Sequence, residues 1–104
     1  MRVAITMNVV EAHEYDETRD AISHEWQNWL NQQDVETIAV PNLSRKSEYY
    51  LENLGADILI LSGGNDIVSR YGDIKYAEKK RTETENSLLR EAVSRELPVF
   101  GICR

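Results

Sequence analysis

A doubly wound, mostly parallel α/β sheet is the fold this sequence predicts, and three observations predict it. Strand-like and helix-like patterns alternate along all 104 residues in the order β-α-β-α-β-α-β. The third strand carries an unbroken Ile-Leu-Ile-Leu run, Ile58 to Leu61, suited to a parallel strand covered on both faces. Polar or reactive features fall just after strands: a Met7–Thr18 loop, a Ser62–Asp66 loop and Cys103. That is the carboxyl edge, where such sheets hold their ligands.

Each element has its own signal. Arg2 to Thr6 reads as a short buried strand, and Met7 to Thr18 as a long polar loop. From Arg19 to Gln32, Ala21, Ile22, Trp26, Trp29 and Leu30 recur at helical spacing, which predicts an amphipathic helix starting near Thr18. Val35 to Val40 is the second strand, ended by Pro41. Ser47 to Leu54 should be helical, with Gly55 as its stop. Asp57 to Leu61 is the third strand, and Ile67 to Lys80 reads as loop with some turn. Thr82 to Arg95 is a second strong helix, with Leu88, Leu89, Ala92 and Val93 on its expected buried stripe. Pro98 to Ile102 is the fourth strand, and Cys103 sits at its end. The expected architecture is flavodoxin-like and incomplete at the C-terminus.

Composition narrows the function. Hydrophobic residues make up 41 % and charged residues 29 %, as in globular domains. The length suits one small domain, residues 1–104. A formal charge of −6 without a basic stripe argues against nucleic acid as a partner. The longest apolar run is far too short to span a bilayer, so no membrane partner is expected. A lone cysteine and no visible leader fit a cytoplasmic location.

Cys103 is the candidate nucleophile. A buried strand running straight into a cysteine presents the thiol at the sheet edge, where a following helix N-terminus would favour the thiolate. Gly101 would leave room for neighbouring backbone at that turn. The alternative is a buried structural cysteine. Gly63 and Gly64 end the neighbouring strand, and with the Arg104 N–H they could donate to a developing oxyanion. The alternative there is a plain glycine-rich turn.

These pieces resemble a family. The stretch Leu61-Ser-Gly-Gly-Asn-Asp66, then Arg81 and Glu85, then Leu97-Pro-Val-Phe-Gly-Ile-Cys-Arg104 resembles the gamma-glutamyl hydrolase branch of class I glutamine amidotransferases. That branch carries a Gly-Gly-x-Asp loop, an Arg-Asp-x-x-Glu helix start and a Pro-Val-x-Gly-Ile-Cys-Arg-Gly elbow. Thr82 stands where the family usually has Asp. Ile5-Thr6, Tyr15, Arg19, Trp26 and the Lys79-Lys80-Arg81 run are similar to gamma-glutamyl-CDP-amidate hydrolases, which serve phosphoramidate decoration of bacterial surface polysaccharides. The resemblance covers the whole chain and the first half of a family member.

The resemblance implies a mechanism. Cys103 attacks the gamma-carbonyl of a glutamyl amide, a thioester forms, the amine leaves, and water releases glutamate. Gly63, Gly64 and Arg104 would stabilise the tetrahedral intermediate. Arg81 and Glu85 would shape the substrate pocket, the alternative being a solvated helix-start charge cluster. Asp66 would hold the loop or touch substrate, and Arg19 is a further substrate-binding candidate. No cofactor or metal is implied. The family's catalytic His and Glu are expected in a missing C-terminal half, so these residues alone should be inactive. His13 and His24 read as exposed polar side chains. Competing readings are a glutaminase subunit serving a partner synthetase and a non-catalytic assembly module.

Overall fold

The computed structural model describes residues 1–104 apart from 13, 15, 43–45, 65–75, 103 and 104, and the backbone alone of 76–78. In chain order the elements are β1 (Arg2–Thr6), β2 (Asn8–Glu11), β3 (Thr18–Ala21), α1 (His24–Gln32), β4 (Glu36–Val40), a π-helical turn (Tyr49–Asn53), β5 (Ile58–Leu61), α2 (Tyr76–Ser94) and β6 (Val99–Gly101). Four strands form one sheet in the order β4-β1-β5-β6. Every pairing in it is parallel. The chain steps from β1 outward to β4, then returns past β1 to β5 and β6. The predicted α/β architecture is therefore present.

Alternation along β1 divides two cores. Val3 and Ile5 join Leu30 and Ile60 on the α1 face, whereas Ala4 joins Val40, Leu51, Leu59, Leu88 and Ala92 on the α2 face. Arg2 closes the lower end. Its Nε donates to Glu36 Oε2 at 2.6 Å and its guanidinium to the Leu54 carbonyl at 2.8 Å. Hydrogen bonding by Arg2 holds the Glu36 carboxyl below its ordinary pKa.

Three sequence expectations need correcting. The Met7–Thr18 segment is not simply a loop: Asn8–Glu11 pairs antiparallel with Thr18–Ala21. This hairpin takes Arg19 to Ala21 out of the first helix. α1 begins instead at His24, where the exposed Ser23 side chain accepts from the Glu25 N–H at 3.2 Å. Ser23→Ala is expected to lower stability by about 1 kcal/mol, read as a fall in the urea midpoint at unchanged slope. Second, the expected helix around Ser47–Leu54 is largely a π-helical turn, in which Leu54 N–H bonds the Tyr49 carbonyl at 2.9 Å. Gly55 does end it, at φ +70°.

The third correction concerns α2, which starts at Tyr76 rather than Thr82. Its buried face is Arg81, Thr84, Glu85, Leu88 and Ala92. Leu89 and Val93, expected on the stripe, are 38 % and 66 % exposed. Each follows a buried residue and so points about 100° away from it.

Among the described residues β6 is an edge strand. Phe100 and Ile102 line an apolar hollow of about 270 Å³ on the α1 face, with Val3, Trp26, Trp29 and Ile60. No helix among the described residues is long and apolar enough to cross a membrane.

Candidate active site

All four parallel strands end at one edge, and the site is built where β1 and β5 stop side by side. Their neighbours diverge there, which makes the gap between them the switch point of the sheet. β1 ends in Thr6 and β5 runs into Ser62, both buried. A hydroxyl at the last position of β1 and another just past β5 let the two chain ends bond one another. Ser62 N–H donates to Thr6 Oγ1 at 3.0 Å, and Ser62 Oγ donates to the Thr6 carbonyl at 2.7 Å.

Arg81 enters this junction from α2. Its side chain has no exposure and Glu85 is 5 % exposed, so the pair is not a solvated charge cluster. Arg81 Nε donates to Glu85 Oε1 at 2.9 Å across one helical turn. Glu85 Oε2 in turn accepts from Thr6 Oγ1 at 3.3 Å. The rest of the guanidinium faces the loop after β5. It donates to the Ser62 carbonyl, to Ser62 Oγ at 3.0 Å and to the Gly63 carbonyl at 2.9 Å. It also donates to Asn8 Oδ1. A buried charge requires this degree of compensation, since an unpaired one would carry a large desolvation cost.

Asn8 completes the arrangement. The side chain of Asn8, the first residue of the hairpin, packs closely against Gly64, and a Cβ built there would sit 1.9 Å from Asn8 Oδ1. Gly64 also has φ +109°, a region L-residues rarely adopt. Both constraints require glycine. At Gly101, by contrast, an added Cβ would meet no heavy atom within 4 Å. Among the described residues, close packing is not the reason for glycine at that position.

A second polar cluster roots the hairpin. Asn42, 2 % exposed beyond the end of β4, donates its backbone N–H and its Nδ2 to the Asp20 carboxylate at 2.9 and 3.0 Å. Nδ2 also reaches the Met7 carbonyl at 2.8 Å, and Thr84 Oγ1 donates to the Asn42 carbonyl at 2.6 Å. The hairpin is thus tied to β4 and α2 at the edge that carries the site.

Of the expected site residues, the structure brings together Gly63, Gly64, Arg81 and Glu85. Arg19 lies on β3, about half exposed, with its Nε on Glu17 Oε1 at 2.8 Å. His24 is exposed at the first position of α1. Asp66, Cys103, Arg104, His13 and Tyr15 lie outside the described residues. The residue before Cys103 is described: Ile102 N–H donates to the Leu61 carbonyl at 2.9 Å. β6 therefore leaves the sheet beside Ser62 and Gly63.

Thr6 and Ser62 stand in the sequence only as members of longer stretches that carry the resemblance, Asn8 in none, and none of the three is a candidate site residue there. Thr6 and Ser62 carried a signal, a hydroxyl closing each of two buried strands. Asn8 carried none, because its role depends on a hairpin the polar segment did not reveal. No group of three or more His, Cys, Asp or Glu among the described residues is placed to hold a metal.

No curated protein matches the chain significantly. The Peptidase C26 family profile matches residues 2–104, which span the sheet, the buried Arg81–Glu85 junction and the segment leading into Cys103. The chain belongs to the Peptidase C26 family, a class I glutamine amidotransferase-like family of cysteine-type hydrolases.

Proposed function

We propose that this protein is a gamma-glutamyl amide hydrolase with Cys103 as nucleophile. The observation that carries the reading is the Gly63-Gly64 loop, held rigid at the switch point beside the strand that leads into Cys103. Amide hydrolysis needs a nucleophile and preorganised donors for the negative oxygen that develops on the carbonyl. The Gly63, Gly64 and Arg104 N–H groups are the donors proposed here. Cys103 adds to the gamma-carbonyl and the C–N bond breaks with proton transfer to the departing amine. Water then cleaves the thioester to give glutamate and the free thiol.

The base that activates Cys103 belongs, on this reading, to a C-terminal half with the family's His and Glu. Asp66 shapes the loop or contacts substrate, and Arg19 contributes to substrate binding from the hairpin. The finer assignment is a gamma-glutamyl-CDP-amidate hydrolase of polysaccharide decoration. It is supported by the Ile5-Thr6, Tyr15, Arg19, Trp26 and Lys79-Lys80-Arg81 resemblance.

The test is labelling of the full-length protein with a glutamine-like electrophile, followed by peptide mass spectrometry. Modification of Cys103 and loss of at least about a thousandfold in turnover in Cys103→Ser are expected. An unmodified Cys103, or full activity in the serine variant, ends the hydrolase reading. Faster turnover of gamma-glutamyl amides than of free glutamine separates it from a glutaminase subunit.

A further inference from the structure

The loop after β5 has its carbonyls on one side and its amides on the other, and the structure shows what sorts them. No peptide bond is cis. In a trans peptide the carbonyl of one residue and the N–H of the next point in opposite directions across the plane. The Ser62 carbonyl shares its plane with the Gly63 N–H, and the Gly63 carbonyl shares its plane with the Gly64 N–H. Both carbonyls are taken by the one Arg81 guanidinium. Both amide hydrogens consequently face away from it. Two successive N–H groups on one side form a concavity suited to an anion.

We propose that Arg81, locked by Glu85 and steadied by Asn8, is the positioning residue that aims the Gly63 and Gly64 amides at the substrate oxyanion. The inference rests on the hydrolase reading above and adds a role for a side chain that is itself sealed from solvent. Arg81 has no exposed surface to offer a substrate, and its contacts with the loop go to backbone oxygens and the Ser62 hydroxyl. Its geometry suits the task. A planar guanidinium fixes several acceptors at once, whereas an ammonium presents a point charge. Glu85 holds the plane through Nε, which leaves the two terminal nitrogens for the loop. The Asn8 amide, itself bonded to Arg81, packs closely against Gly64 and restrains the second peptide on the guanidinium side.

The experiment compares wild-type full-length protein with Arg81→Lys in two reactions. The first is hydrolysis of free glutamine and of a chromogenic gamma-glutamyl anilide, in which a carbonyl oxygen becomes negative. The second is alkylation of Cys103 by iodoacetamide, a displacement at a methylene carbon that asks nothing of an oxyanion site. In folded Arg81→Lys, kcat should fall about 10- to 100-fold, below the loss for deleting a whole oxyanion donor. KM should stay within about threefold and the alkylation rate should match wild type. Asn8→Ala, which removes the packing against Gly64 and one guanidinium contact without emptying the core, should show the same split with a smaller fall. It serves as the test if Arg81→Lys does not fold. Unchanged kcat in both folded variants overturns the proposal, as does a parallel fall in alkylation. A wild type that hydrolyses neither compound removes the hydrolase reading, and this inference with it. A wild type that hydrolyses either one keeps the hydrolase reading whatever the variants do.

Discussion

Gly64→Ala is expected to cost about 2–4 kcal/mol of stability and to reduce turnover to background. Two separate strains add. The first is backbone: at φ +109° a side chain is strained by roughly 1–3 kcal/mol wherever it has space. The second is collision: the new Cβ would lie 1.9 Å from Asn8 Oδ1 and 2.5 Å from its Cγ, far inside contact distance. Asn8 must move, and its hydrogen bond from Arg81 moves with it. The double variant Asn8→Gly with Gly64→Ala separates the terms. The collision cost should vanish and the backbone cost remain, so by urea unfolding Gly64→Ala should cost less in the Asn8→Gly background than in wild type. Gly101→Ala is the contrast. With no atom near the added methyl, its stability should change by less than about 1 kcal/mol. A Gly64→Ala protein as stable as wild type would show that the loop is not held as described.

The parallel sheet was legible in the sequence because its signals are local and apolar. Ile58 to Leu61 is uninterrupted, and β1, β4 and β6 each lie within a residue or two of the expected bounds. The hairpin was not legible. Half of the residues in Asn8–Glu11 and Thr18–Ala21 are exposed, Val9 alone is buried, and neither strand has a sustained alternation, so pairing rather than burial defines them. That error carried into α1, because Ala21 and Ile22 fall in helical phase with Trp26 and Leu30 by accident. In α2 the apolar doublets Leu88-Leu89 and Ala92-Val93 left two faces equally apolar. The choice is made by Arg81, Thr84 and Glu85, polar residues that count toward no hydrophobic stripe but are buried. The site was half legible for the same reason. Glycines and a helical Arg–Glu pair stand out as residue types, whereas Thr6, Asn8 and Ser62 matter only through a three-way contact between segments remote in sequence.

Arg81→Met is expected to lower stability by about 3–5 kcal/mol, because it leaves Glu85 as an uncompensated buried carboxylate. In a domain whose total stability is of the order of 5–15 kcal/mol, that places the variant near the edge of folding. The informative comparison is Arg81→Met with Glu85→Met. If Arg81 were retained chiefly to neutralise Glu85, removing both charges would restore wild-type stability, as replacing a buried ion pair by apolar residues often does. The contacts argue otherwise. The guanidinium also satisfies the Ser62 and Gly63 carbonyls and Asn8 Oδ1, and none of these has a new donor in the double variant. Left unpaired, the buried Ser62 carbonyl costs about 1–3 kcal/mol, and the part-buried Gly63 carbonyl and Asn8 Oδ1 add less. The double variant should therefore be more stable than Arg81→Met yet remain at least about 2 kcal/mol below wild type by urea unfolding. Full recovery would mean that the loop carbonyls find other partners without Arg81, and the guanidinium would then be a counter-ion rather than the clamp on the glycine loop.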